Sequence, residues 1–270
     1  MTGVQTCALP ISINDFLSED LIDITQLLTL VLGQNKERLY TYSNYELTNK
    51  ELKRLDELIQ QRQQGKPFAY LSGSQGFYHL DFKVSPATLI PRPETELLID
   101  IAVELFESNQ KIHVLDLGTG SGVIAITLAD KCPSWQLSAT DKSNDALKIA
   151  KLNTTRKIDF YCGNWFEALP NKKFDLIISN PPYIAENDPH LEDLKHEPIE
   201  ALISGKDGLD DIRKIIKQAP QYLNPGGYIL LEHGYNQKIE ITKLLENSFT
   251  NISTYKDYNS VERTILAQYS

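Results

Sequence analysis

Cysteine and histidine are the first shortages in this chain. Cys7, Cys132 and Cys162 lie scattered, with none of the paired spacing that zinc sites or disulfide frameworks need. The five histidines lack metal-ligand spacing too; His190 and His196 sit among acidic residues but do not share a helix face. No metal is assigned. No apolar run approaches the length of a membrane span, and no basic region precedes the apolar residues near the amino terminus. The chain therefore reads as soluble and cytoplasmic, with no membrane partner. Positive charge is also short. The net charge is −9, and neither part of the chain carries the basic excess of a protein whose affinity comes from phosphates. Stable nucleic-acid binding is not expected.

What is present is enough apolar material for a sizeable core, 41% of 270 residues. That length suits one large domain or a main domain with an appendage. Residues 1–12, opening MTGVQTCALP, have no helical or strand period and are set apart as foreign to the fold. From Ile13 to Gly65 the pattern is helical. Leu21, Ile24, Leu27, Leu28, Val31 and Leu32 follow the spacing of an amphipathic helix ending at Gly33. Thr48 to Glu51 has the form of a capping box, followed by an apolar stripe at Leu52, Leu55, Leu58 and Ile59. These faces suit a small helical bundle over 13–74. The aromatic and β-branched stretch 75–85 reads as a hairpin linker. Within Ile90-Pro-Arg-Pro-Glu-Thr-Glu96, Pro93 suits the first position of a helix, and Glu94 and Glu96 suit its first turn. Helix chemistry gives no reason for Arg92.

After Lys111 strands and helices alternate. Strands are expected at 112–117, 136–140, 158–162, 174–179 and 228–232, and two consecutive strands close the chain near 252–257 and 263–268. This implies an α/β fold: a mostly parallel seven-stranded sheet with an antiparallel edge hairpin. The first of these strands ends in Asp116-Leu-Gly118-Thr119-Gly120-Ser121-Gly122. Glycines there let the chain turn tightly and let a ligand approach the backbone. A dinucleotide loop needs Gly or Ala where Val123 stands. Gly-x-Gly-x-Gly after an acid resembles instead the S-adenosylmethionine loop of Rossmann-like methyltransferases. Asp141 ends the next strand, where a carboxylate can accept both ribose hydroxyls. Asn164 and Trp165 follow the third strand, where an amide and an indole could bracket an adenine; for Trp165 alone, a core role is the commoner explanation.

The strand 174–179 ends in Asn180-Pro181-Pro182-Tyr183. Two prolines fix φ and remove donors, so the turn is stiff, and an isolated Asn-Pro-Pro also serves as a plain stop. Beside a methyl donor it gains a second use. A planar amide or exocyclic amine is a poor nucleophile because its lone pair is delocalised. It must be held in line with the methyl, its N–H groups tied to acceptors. The Asn180 side-chain carbonyl and the Pro181 backbone carbonyl are two such acceptors, and Tyr183 can offer an aromatic face. Asn presents an acceptor without a buried charge.

The two motifs together resemble amino-methyltransferases acting on adenine N6, guanine N2 or protein glutamine N5. Pro67 to Gly73, Ile90 to Glu96, Asp116 to Gly122, Gly163 to Phe166, Asn180 to Tyr183 and Glu232-His-Gly234, in that order behind a helical module, resemble the peptide chain release factor glutamine N5-methyltransferase family over residues 13–270. The resemblance implies a methyltransferase domain at 86–270. It implies methyl transfer from S-adenosylmethionine to the glutamine of the Gly-Gly-Gln loop of release factors, with a nucleic-acid amino-methyltransferase as the alternative. A monomer is expected. Asn180, Pro181, Pro182 and Tyr183 would bind the acceptor amide, with Asn180 and Pro181 catalytic and Arg92, Glu94 and Thr95 walling the site. Asp116, Gly118 to Gly122, Asp141, Asn164, Trp165 and Asn180 would hold the donor. Asn164 departs from the acid common at its position, and the family's first helix is longer than what precedes Leu21.

Overall fold

A computed structural model describes residues 11–18, 21–107 and 109–270 of the chain. The opening decapeptide, most of the segment set apart as foreign, lies outside them. The chain forms two compact units, divided between Ser72 and Gly73.

Among its described residues the first unit holds five helices: α1 (Ile13–Leu17), α2 (Ile24–Leu32), α3 (Lys36–Thr41), α4 (Asn49–Gln63) and α5 (Phe68–Ser72). Its core is made by the apolar stripes, with Leu27, Leu28, Leu55 and Leu58 buried. Gly33 ends α2 in the left-handed region at φ +61°, where glycine escapes the Cβ penalty. The capping box opening α4 forms as expected: Thr48 Oγ1 accepts from the Glu51 N–H, and the Glu51 carboxylate accepts from the Thr48 N–H at 2.7 Å. Ile11 and Ser12, counted in the segment set apart, pair with Leu47 and Glu46.

The second unit begins with an antiparallel hairpin, β1 (Ser74–Phe77) and β2 (Leu80–Lys83). Its Phe77 and Phe82 meet edge to face inside the core of this same unit. A 3-10 turn at Pro93–Thr95 leads into α6 (Glu96–Leu105). Then follow β3 (His113–Leu117), α7 (Val123–Lys131), β4 (Gln136–Asp141), α8 (Asn144–Leu152), β5 (Ile158–Cys162), β6 (Phe174–Ser179), α9 (Asp210–Gln218), β7 (Leu223–Glu232), α10 (Lys238–Leu245), β8 (Phe249–Lys256) and β9 (Glu262–Tyr269). The seven strands lie in the order β5-β4-β3-β6-β7-β9-β8, with only the β9 pairings antiparallel. β7 starts before the expected Tyr228 because Leu223 pairs with Phe174 ahead of a register shift that absorbs Pro225 and Gly226.

Alternation along the central strands separates two apolar layers. Val114, Leu176, Ile178 and Leu230 face α6 and α7, while Leu115, Leu117, Ile177, Ile229 and Leu231 face α9 and α10. From β3 the chain winds outward to β4 and β5, then returns to place β6 on the other side of β3. That reversal opens a crevice at the carboxyl ends of β3 and β6, where open α/β sheets bind ligands. Leu117 and Ser179 are in register there, and Ser179 Oγ donates to the Leu117 carbonyl at 2.6 Å.

Candidate active site

The two loops that leave the crevice are the glycine loop after β3 and the Asn-Pro-Pro-Tyr turn after β6. A cavity of about 480 Å³ lies beside them. Gly118, Gly120, Asp141, Asn164, Trp165, Asn180 and Pro182 line it, so strand ends contribute residues that the sequence spaces far apart. Ala87, Thr88 and Leu89 supply another wall, and Pro198 to Ala201 close a further side. Asp141, Asp145 and Glu200 outnumber Lys142, which pairs with Glu200 at 3.0 Å, so the lining is acidic on balance.

Asp141 ties the loops together. Its Oδ2 accepts from the Gly120 N–H and its Oδ1 from the Ser143 N–H, both at 2.8 Å. Burial pushes its carboxyl above the usual range, with these two donors opposing the shift. Trp165 is held at a left-handed φ of +51° and donates its indole N–H to Asp211 Oδ1 at 3.2 Å. Its ring lies over Gly118. Asn164 Nδ2 donates to Glu167 Oε1 at 3.3 Å.

Other expected donor-loop residues stand behind the cavity rather than on it. Asp116 is fully buried; its Oδ2 accepts from Thr119 Oγ1 at 2.6 Å and from the Ala125 N–H at 3.2 Å. Its Oδ1 has no partner among the described residues, and burial pushes the carboxyl up to about 7. Thr119 and Ser121 are buried in the loop. Gly122 faces α7 and α8, where an added Cβ would come within 2.5 Å of Ile126 Cδ1 and 3.2 Å of Ala150 Cβ. The third glycine thus serves helix packing.

On the acceptor side, Asn180 Nδ2 donates to Thr95 Oγ1 at 3.0 Å, and Thr95 Oγ1 donates to Glu232 Oε2 at 2.8 Å. Tyr183 donates its hydroxyl to Glu232 Oε1 at 3.1 Å, so the ring is anchored inward rather than lining the cavity. Burial beside that carboxylate drives the Tyr183 hydroxyl well above its usual range. Burial also pushes Glu232 up to about 7, against the hydrogen bonds from Thr95 and Tyr183 and the charge of Arg263. The Tyr183 carbonyl accepts from Gln237 Nε2 at 2.9 Å, which fixes the far end of the turn. Pro181 is buried.

Arg92 gains the partner that local sequence could not name. Its guanidinium pairs with Glu197, whose other oxygen accepts from the Ile90 N–H at 2.9 Å. Glu197 adjoins the segment closing the cavity, so the pair clamps 90–92 to 197–201. Glu94 contributes charge near Glu232.

A family profile described as Methyltransferase small domain matches residues 95–201, and one described as PrmC N-terminal domain matches residues 17–73. The release factor glutamine methyltransferase of Shewanella oneidensis is 42% identical over 256 residues, which is 92% of this chain and 89% of that protein. That of Coxiella burnetii is 40% identical over 252 residues, 92% of this chain and 91% of its own. The chain belongs to the release factor glutamine methyltransferase family.

Solved structures agree on the fold. A methyltransferase from Pyrococcus furiosus superposes with a TM-score of 0.56 at 18% identity, over 77% of this chain and 98% of its own. A T. thermophilus 16S rRNA N2 G1207 methyltransferase, solved with S-adenosylmethionine and guanosine, gives 0.57 at 21%, over 73% and 50%. Among the described residues no cluster of His, Cys, Asp and Glu could hold a metal, and no helix is long and apolar enough to cross a membrane. Site residues that motif reasoning left without a role include Glu232, Glu197, Asp211 and Gln237. Glu232 stood in a quoted motif, but the motif carried no hint of its partners.

Proposed function

We propose that this chain transfers the methyl group of S-adenosylmethionine to the side-chain N5 of the glutamine in the Gly-Gly-Gln loop of peptide chain release factors. The observation that carries the reading is the placement of Asn180. It sits at the switch point of the sheet, on the cavity wall, with its Nδ2 already engaged by Thr95. The carbonyl end of its amide is then left to accept an N–H from an acceptor side chain.

The residues present fit the donor. When bound, S-adenosylmethionine supplies a methyl on a cationic sulfonium centre, and the cavity lining is acidic. Gly118 and Gly120 would admit it against the backbone. Asp141 keeps lone pairs for ribose hydroxyls, and Asn164 and Trp165 would bracket the base. Asp116, with one unpartnered buried oxygen, Thr119, Ser121 and Gly122 would shape that loop from behind. Asn180 and the Pro181 carbonyl would take the two amide N–H groups of the glutamine and fix its plane, while Pro182 keeps the turn rigid. Such restraint of position and charge is the main protein contribution available here. Tyr183, Thr95, Glu94 and Arg92 would support this wall.

Among the described residues, those that line the cavity run from Ala87 to Ala201. This supports a methyltransferase domain at 86–270, with a helical domain at 13–74 and the hairpin 75–85 preceding it in sequence. In the same reading the enzyme acts as a cytoplasmic monomer and does not bind nucleic acid stably. The test incubates the protein with labelled S-adenosylmethionine, a release factor, and bare RNA and DNA, and maps the label by mass spectrometry. Label on the Gly-Gly-Gln glutamine is expected. Label on nucleic acid alone would replace this reading with adenine or guanine amino-methylation.

A further inference from the structure

Glu232 ends β7 with 1% exposure, outside the donor cavity and outside the Asn-Pro-Pro-Tyr turn. Each of its oxygens nevertheless accepts one hydrogen bond from a site residue, Oε2 from Thr95 and Oε1 from Tyr183. A hydroxyl has a single proton. Thr95 commits that proton to the carboxylate, so toward Asn180 its oxygen can only accept. Only the Nδ2 end of a carboxamide donates, and Asn180 must therefore turn that end to Thr95.

We propose that Glu232, acting through Thr95, is the positioning residue that keeps the Asn180 carbonyl oxygen toward the acceptor, and thereby sets the preference for a carboxamide over a carboxylate substrate side chain. This rests on the glutamine-methylation reading above. The two ends of an Asn amide have nearly the same shape, so packing does not choose between the two orientations. Hydrogen-bond polarity does. With the oxygen outward, the site accepts an amide N–H and repels a carboxylate. With the amide inverted, it presents a donor, which suits a carboxylate and leaves an amide N–H facing an N–H. Thr95 is 2% exposed, so water does not substitute for the missing partner.

The test uses the full chain at pH 8, above the value near 7 to which burial pushes Glu232. Wild type, Thr95→Val, Thr95→Ser and Glu232→Gln are assayed with S-adenosylmethionine and a release factor. A release factor carrying glutamate in place of the acceptor glutamine serves as competitor. Thr95→Val should lower kcat by about 10- to 100-fold, the range expected for an unsatisfied polar contact. It should leave donor affinity within about twofold, and it should raise the potency of the glutamate competitor relative to the glutamine protein. Thr95→Ser keeps the hydroxyl and should restore both rate and preference. If Thr95→Val retains the preference, or Thr95→Ser loses it equally, the inference is overturned. Should the valine variant lack a cooperative unfolding transition, Thr95→Ala removes the same hydroxyl and carries the same two outcomes. In Glu232→Gln the proton direction at Thr95 is no longer imposed, so the preference should weaken; an unchanged preference overturns the role of Glu232. A wild-type enzyme that methylates no release factor defeats the functional reading instead, which separates the two failures.

Discussion

The six-membered edge of the Trp165 indole lies 3.2 Å from the point that a Cβ on Gly118 would occupy, and Gly118 itself sits at φ +71°. The two residues close the donor loop against the end of β5, with the indole held in place by Asp211. Alanine at 118 would meet both a backbone penalty of about 1–2 kcal/mol and a ring that cannot retreat freely. Gly118→Ala should lower stability by about 1–2 kcal/mol in urea unfolding, and its methyl, pressed against the indole that walls the cavity, should weaken S-adenosylmethionine binding in a calorimetric titration. Unchanged affinity in a cooperatively folded variant would detach this glycine from the donor site.

Gly122 should behave differently. Its added Cβ would strike the α7–α8 packing rather than the cavity, at φ +90°. Gly122→Ala should cost roughly 1–3 kcal/mol of stability, the range for overpacking a buried contact. Urea unfolding reads this directly, and a midpoint equal to that of wild type would contradict the packing role.

Asn180→Ala removes an acceptor aimed at the substrate while leaving most of the donor cavity in place. By analogy with loss of one preorganised hydrogen-bonding group, turnover should fall by about 10²–10³-fold. Donor affinity, followed by equilibrium binding, should change little. Near-normal turnover would remove the turn from the mechanism.

The Arg92–Glu197 pair joins an arginine side chain that is 38% exposed to a glutamate side chain that is 2% exposed. Breaking a fully buried pair costs about 3–5 kcal/mol. Solvent at Arg92 screens part of that, so Glu197→Ala should cost about 1–2 kcal/mol. Because Pro198 to Ala201 line the cavity, weaker donor binding should accompany the loss. Limited proteolysis should cut first between residues 186 and 204; an unchanged cleavage pattern counts against the clamp.

Asp116 predicts a pH effect. Its carboxyl rises from 3.8 to about 7 in the folded protein because burial disfavours the charged form. Between these values the folded state holds a proton that the unfolded state has lost, so stability falls as pH rises through this window and levels off above about 7. One group shifted this far accounts for roughly 4 kcal/mol at 1.36 kcal/mol per unit. Asp116→Asn should flatten that part of the ligand-free profile between pH 4 and pH 8. Denaturant titrations of both proteins across that range measure it, and parallel profiles would exclude the linkage.

The sequence by itself determined the local pieces and their order. Apolar runs such as Val114-Leu115 and Leu176 to Ile178, bounded by turn signals, declared buried parallel strands, because a strand covered on both faces needs apolar residues at successive positions rather than alternate ones. Gly118, Asp141 and Asn180 at successive strand ends declared a ligand edge, since parallel strands bring their carboxyl ends together. Tertiary structure alone decided which side chains complete the site. Thr95 and Glu232 meet across 137 residues, and Arg92 and Glu197 across 105. Those partnerships depend on β7 lying beside β6 and on which face each strand end presents, and no local period encodes either. The same reason explains Gly122, whose glycine loop looked uniform in sequence until the fold turned one glycine toward a helix and two toward the cavity.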